Sequence, residues 1–262
     1  MWVYIRQDVQ LWIYHSPDLW LISLSGDWEN WITIADKNLW ATTVFEVWSW
    51  SWTNWWTTVT EANGWKFYQW GNNYWFPLTW ATTTSSTQVN TSTYWPWNYY
   101  SSSTFITRNS SPYSWQTSTN YNLWWGTTWT NDAMQWPCDS GFHVPKYDEF
   151  DALAGIITDF WITWHNIMYC LKMPWKGNLN RADWTYNNGA PQLRFCAFWL
   201  SDTYYSWDTL RIYMLTDNYW NTVKLESSTL NSGQDSIGYT IRPFANTPVQ
   251  PDNTRTVLYQ PN

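Results

Sequence analysis

Glycine is scarce in this chain. Only 10 of 262 residues are glycine, roughly half the usual share. Turns that need a left-handed backbone therefore have few residues suited to them. Basic residues are also few, 13 Lys and Arg against 20 Asp and Glu, for a net charge of -7. That balance disfavours nucleic acid as a partner, because such a surface needs a basic stripe. No apolar run reaches the roughly 18 residues of a membrane-spanning helix. The three cysteines, Cys138, Cys170 and Cys196, are too few for a disulfide scaffold and match no zinc spacing. They read as buried free thiols, or as one disulfide and one spare thiol. His15, His143 and His165 have no second ligand at metal spacing and read as structural or exposed. The first ten residues, MWVYIRQDVQ, lack the basic start and apolar block of a signal peptide. Export by another route, a missing N-terminus and an internal location all remain open.

Tryptophan is abundant, with 29 residues. Many stand where turn chemistry asks for glycine. Residues 47–56 read VWSWSWTNWW, which no core could bury. With glycine in place of tryptophan it is a flexible Gly/Ser/Thr/Asn linker.

The most readable element lies within residues 135–160, QWPCDSGFHVPKYDEFDALAGIITDF. Pro145 pushes the residue before it out of the helical region. Asp148, Glu149 and Asp151 follow, where the helix dipole favours negative charge. Phe150, Leu153, Ala154 and Ile157 keep the spacing of one buried face. The pattern predicts an amphipathic helix over about 146–160, within an α+β domain of short, mostly antiparallel strands.

Strands are expected at 11–14 and 19–24, then at 31–44 as a strand followed by an exposed turn. Residues 81–120, rich in Ser, Thr, Asn and Tyr, read as a long irregular loop anchored by aromatic strips such as 94–100. Residues 167–173 look strand-like and 176–192 look like a polar turn region. Further strands are expected at 193–200, 209–215 and 238–244. The domain division is an N-terminal strand-forming extension over 1–29, a main domain over 30–246 and a loose tail over 247–262.

Several segments together carry a resemblance. They are ITIADKNLWATTV (32–44), KFYQWGNNYWFP (66–77), NDAMQWPCDSGFHVPKYDEFDAL (131–153), RFCAFWLSDTY (194–204) and IGYTIRPF (237–244). In this order they resemble the Fibrobacter succinogenes major paralogous domain, a family of bacterial surface and secreted modules. The run SGFHVPKYDEF (140–150) also looks like one in the formylglycine-generating sulfatase-activating enzymes, which share a C-type-lectin-like fold. The resemblance implies that fold here. It does not imply the enzyme's activity, whose copper site needs paired cysteines, and Cys196 has no plausible C-terminal partner. Lys146 stands where the family has a small capping residue, which predicts a less well capped helix. Pro243 stands where some members have a closing cysteine, so a disulfide from Cys138 to that position is excluded. Trp40, Trp75 and Trp136 stand where the family pattern has glycine, whereas Trp70, Trp124 and Trp199 stand where it has tryptophan. We read this as a gene in which UGA encodes glycine, translated with UGA as tryptophan. The rival is a genuinely tryptophan-rich carbohydrate binder with aromatic platforms.

No catalytic constellation, phosphate-cradling loop or HExxH run is present. The acidic start of the helix is explained by its position. Asp202, Asp208 and Asp217 are expected in loops between the late strands, as solvated carboxylates and not as calcium ligands. Residues 201–221 interleave tyrosines with polar residues, as binding surfaces do. The candidate ligand-binding residues are Asp202, Tyr204, Tyr205, Asp208, Tyr213, Asp217, Asn218 and Tyr219. An edge-strand surface with ordinary turn residues explains them equally well. No metal, cofactor or catalytic residue is expected. The expected role is a non-catalytic extracellular or cell-surface module that binds a protein or glycan. A virion or fibre-tip receptor-binding protein and a sulfatase-activating type of enzyme are the alternatives.

Overall fold

A computed structural model describes residues 2–6, 9–16, 21–27, 29–44, 62, 66–77, 82–95, 98–111, 113–118, 120, 123–124, 137–159, 171, 173, 178–179, 186–187, 194–204, 209–218, 222–230 and 235–250. For the strands before residue 17, and for 157–159, 178–179, 186–187, 194–196, 202–204, 209–218 and 222–230, it describes the backbone alone.

The strands are β1 (Trp2–Arg6), β2 (Val9–Ser16), β3 (Leu21–Ser25), β4 (Ile32–Ala35), β5 (Lys66–Phe67), β6 (Phe76–Pro77), β7 (Thr83–Ser85), β8 (Thr104–Ile106), β9 (Phe142–His143), β10 (Asn178–Leu179), β11 (Tyr186–Asn187), β12 (Arg194–Tyr204), β13 (Thr209–Asn218), β14 (Thr222–Leu230) and β15 (Phe244–Ala245). The helix α1 spans Tyr147–Asp159, within a residue of expectation at each end. The chain is thus mixed and strand-rich, with mostly antiparallel sheets around one principal helix. Phe150, Leu153 and Ala154 are buried as their spacing required.

Six strands form one sheet in the order β1-β2-β3-β4-β15-β9. The strands of residues 1–29 are therefore continuous with the sheet that holds residues 32–35. Every residue of β3 is buried, which leaves polar Ser23 in an apolar layer. It sits opposite Thr33 in register, and their hydroxyls hydrogen-bond at 2.8 Å, removing the cost of burying either unpaired.

Residues 235–244 are the hub. Tyr68 bridges Tyr239, and Phe198 bridges Thr240. Phe244 pairs with both Ile34 and His143. Leu39 N donates to Ile241 O, and Arg242 Nη1 donates to Ala35 O at 2.9 Å. The turn expected to be exposed after β4 is consequently buried. Asp36, Asn38, Leu39 and Ala41 lie within the fold, whereas Trp40, Thr42 and Thr43 are exposed. Reading it as exposed from its polar residues missed the distant segment that covers it.

The core collects large aromatics. Trp70, Trp115, Trp124 and Trp199 are fully buried, and each indole N–H has an acceptor. Trp70 donates to Leu200 O, Trp115 to Trp70 O, Trp124 to Asn73 Oδ1 and Trp199 to Tyr68 O. Buried indoles need such partners. Among the described residues of 81–120, regular pairing is confined to the parallel pair β7–β8 and the isolated bridges of Val89 with Gln116 and of Trp95 with Asn98. Tyr100 anchors the stretch by stacking on Trp115 at 4.9 Å.

Several expectations are corrected. The late strands are long, at 11, 10 and 9 residues for β12, β13 and β14. β14 was missed because TVKLESSTL mixes polar and apolar residues without a clean alternation. Leu171 is helical where a strand was expected across 167–173, and Leu171 and Met173 are both buried. Within the expected polar turn region 176–192, Asn178–Leu179 and Tyr186–Asn187 form the β10–β11 antiparallel pair. Val249 N donates to Thr33 Oγ1 at 2.8 Å, which ties the start of the expected loose tail to β4. The linker-like 45–61 and the tail beyond 250 lie outside the described residues.

Candidate functional site

The predicted ligand-binding residues fall on the β12-β13-β14 meander. Asp202 and Tyr204 lie in β12, and Tyr213, Asp217 and Asn218 lie in β13. Asp202 and Asp217 are therefore strand residues, correcting their expected place in loops. Tyr205, Asp208 and Tyr219 lie outside the described residues.

Register decides which of them can act together. Tyr204 pairs with Thr209 at one end of the β12–β13 ladder, and Asp217 pairs with Arg194 at the other. Asn218 faces Thr222 beside the second connection. The stretch between Thr209 and Asn218 spans roughly 30 Å at strand rise. Asp202 and Tyr204 thus flank one hairpin connection, Asp217 and Asn218 flank the other, and Tyr213 lies between them, opposite Phe198. No small ligand touches both ends. A protein surface or an extended glycan can. The register shifts between Trp199 and Thr203, so Asp202 lies where the ladder is irregular.

The acidic helix start is structural. Glu149 accepts a hydrogen bond from Lys146 N at 2.8 Å. This is the backbone half of a capping box, supplied by the third helical residue. It satisfies the Lys146 N–H only; a lysine side chain has no acceptor for the N–H groups of the first turn, so the expected lack of an N-cap side chain stands beside this bond. The same carboxylate lies 2.8 Å from Nε2 of buried His143, whose Nδ1 lies 2.9 Å from Asn246 Oδ1. His143 therefore ties β9, the helix start and the segment after β15 together. Tyr147 donates its hydroxyl to Asp151 at 3.2 Å. Glu149→Ala frees Lys146 N–H and one nitrogen of His143 together. The expected loss is about 1–3 kcal/mol, read by denaturant unfolding. A loss no larger than that of Asp148→Ala overturns this role.

Among the described residues no three His, Cys, Asp or Glu side chains could together hold a metal. Cys138 is a free, buried thiol, and burial pushes it well above the ordinary thiol range. It is a core residue, packed in the main buried cluster. No helix among the described residues is long and apolar enough to cross a membrane.

Two further surfaces are present. A groove of about 590 Å³ runs between the β3–β4 turn and α1, lined among others by Asp27, Glu29, Trp31, Ile156 and Gln250. Asp27 accepts from the backbone N–H groups of Glu29 and Asn30 and from the Asn30 side chain. These bonds hold its carboxyl well below the usual carboxylate range. It is a turn anchor with its lone pairs already used. Elsewhere Tyr74, Trp95 and Tyr99 are exposed rings. The groove was not predicted, because it is assembled from segments far apart in sequence.

No protein-family model, curated protein or solved structure matches the chain.

Proposed function

We propose that this chain is a non-catalytic surface or secreted module with a C-type-lectin-like domain, of the Fibrobacter succinogenes major paralogous type. Its partner is a protein or glycan, met by the connections of the β12-β13-β14 meander. One observation carries the reading. The five segments that resemble the family are scattered from residue 32 to residue 244, yet they meet in one core. Leu39, Tyr68, Trp70, Cys138, Val144, Trp199 and Ile241, drawn from all five, belong to a single buried cluster. Backbone bonds join them directly, as in Trp199 N to Thr240 O and Ser201 N to Pro145 O. Segments kept for one fold are expected to pack in this way. Polar, tyrosine-bearing hairpin ends on a rigid meander suit adaptable recognition.

The test is binding of the full chain to a glycan array and to intact bacterial cells, each with wild type and with the paired variant Tyr204→Ala and Asp217→Ala. Saturable binding that weakens at least tenfold in the variant is expected. Stoichiometric copper held by cysteine, or binding unaffected by the pair, overturns the reading.

A further inference from the structure

The strongest unassigned feature is a buried carboxylate. Asp235 is fully buried beside the hub, remote in sequence from everything it holds. Its Oδ2 accepts from Ser114 Oγ at 2.8 Å and from Gln116 Nε2 at 2.9 Å, and its Oδ1 accepts from Trp115 N at 3.3 Å. Its carbonyl accepts from Trp70 N at 3.2 Å. Gln116 extends the network outward. Its Oε1 accepts from Thr91 Oγ1 at 2.6 Å and from Asn120 N at 2.8 Å. Asn120 Nδ2 in turn donates to Thr91 O and Tyr94 O. Asp235 thus holds the 114–116 segment and, through Gln116, Thr91 and Asn120 to the core, beside the bonds of Gln69 to Ile106 and of Asn72 to Ser102 that fix the middle of the 89–120 stretch.

We propose that Asp235 is a proton-linked latch: residues 89–120, with their exposed Trp95 and Tyr99, dock most firmly when Asp235 carries a proton and loosen as it ionises.

The physical reason is desolvation. These three donors, with the Asp235 backbone N–H as a fourth, do not replace the water lost by a fully buried carboxylate. Burial pushes the carboxyl up from 3.8 to about 7, against the opposing hydrogen bonds of Ser114, Gln116 and Trp115. A proton on Asp235 is accommodated when the Ser114 hydroxyl reverses and accepts it. The titratable or charged side chains on the enclosing segments include Lys66, Tyr68, Tyr94, Tyr100, Arg108 and Tyr113, and none of these bonds to the Asp235 carboxylate. Lys66 lies over the Trp75 ring and Arg108 donates to Ser86 O. Burial raises the phenols of Tyr68 and Tyr100, so both stay neutral through this range.

The sign follows from linkage. The folded value lies above the unfolded one, so the contribution is complete below about pH 4. It is lost as the pH rises through about 7 and is constant beyond. A difference of about three pK units corresponds to a change of about 10³-fold in the opening equilibrium.

The experiment is amide hydrogen exchange on the full chain from about pH 5 to about pH 8, corrected for intrinsic exchange. The reporters are Val89, Trp115 and Thr117, and the reference is Ala35, bonded to Pro243 O. Protection of the reporters relative to the reference is expected to fall at least tenfold with rising pH. The ratio is expected to stay flat in Asp235→Asn. In Ser114→Ala, which removes a donor to the carboxylate, the midpoint is expected to move upward. A constant ratio in wild type, an equal fall in Asp235→Asn, or an unmoved midpoint in Ser114→Ala overturns the latch.

Discussion

Gly71→Ala is expected to destabilise the fold by about 2–5 kcal/mol. Gly71 has a φ of +83°, where an alanine is strained by about 1–2 kcal/mol. Space is the larger obstacle. A Cβ at this position would stand 2.3 Å from Leu123 Cδ1 and 2.9 Å from Leu123 Cβ. Leu123 cannot withdraw freely, because it is buried in the main cluster beside Trp70, Trp115 and Trp124. Overpacking of that kind costs about 1–3 kcal/mol. Gly141 is the control. Its φ is +87° but nothing lies within 4 Å of its Cβ position, so Gly141→Ala is expected to cost only the strain, about 1–2 kcal/mol. Denaturant unfolding of both variants separates the two terms. A double-mutant cycle with Leu123→Ala then isolates the clash, and the pair is expected to cost at least about 1 kcal/mol less than the sum of the single changes. Equal losses at Gly71 and Gly141 would show that Leu123 yields, and that only the backbone matters.

Local order was legible in the sequence; long-range order was not. The helix could be read because its signals lie within one stretch: Pro145, the acidic first turn and the Phe150, Leu153, Ala154 face. The other half of its cap was missed, because attention fell on the Lys146 side chain, while the bond to the Lys146 N–H comes from Glu149 three residues later. β12 and β13 were foreseen but drawn too short, since Ser201, Asp202 and Asp217 look like turn residues. Inside a ladder such residues are held by their neighbours, because β-propensity is a weak prior against pairing. The division of the candidate residues between two ends of a ladder is a matter of register, and only pairing reveals it. Asp235 was invisible for a related reason. In GQDSIG it looks like an ordinary turn aspartate, and its donors lie about 120 residues away.

Glycine substitution is expected to have opposite effects at two tryptophans, stabilising at Trp40 and destabilising at Trp199. Trp40 has a φ of 60°, the only non-glycine among the described residues with a positive value, and its ring is 50% exposed. It stands in DKNLWAT, where the resembled pattern has glycine. A left-handed backbone costs a non-glycine residue about 1–2 kcal/mol. Glycine removes that strain but adds freedom to the unfolded chain, so Trp40→Gly is expected to gain about 1 kcal/mol or slightly less. Trp199 is fully buried, packs edge-on to Tyr239 and donates to Tyr68 O. Emptying its place costs about 3–5 kcal/mol in cavity, and a glycine within β12 adds about 0.5–1 kcal/mol. Trp75 is the intermediate case. Its ring stacks on Tyr74 and takes Lys66 Nζ at 3.3 Å, so glycine there loses a cation–π contact of about 0.5–2 kcal/mol. The conformation at Trp40 supports the proposal that some tryptophans here are glycine in the native protein, while the ring contacts of Trp75 weigh against including it. Unfolding of the three single variants measures the signs. Peptide mass of protein made in its own host decides residue identity directly. Tryptophan found at position 40, together with a loss of stability in Trp40→Gly, would end the recoding proposal and leave Trp40 as a tolerated, strained surface ring.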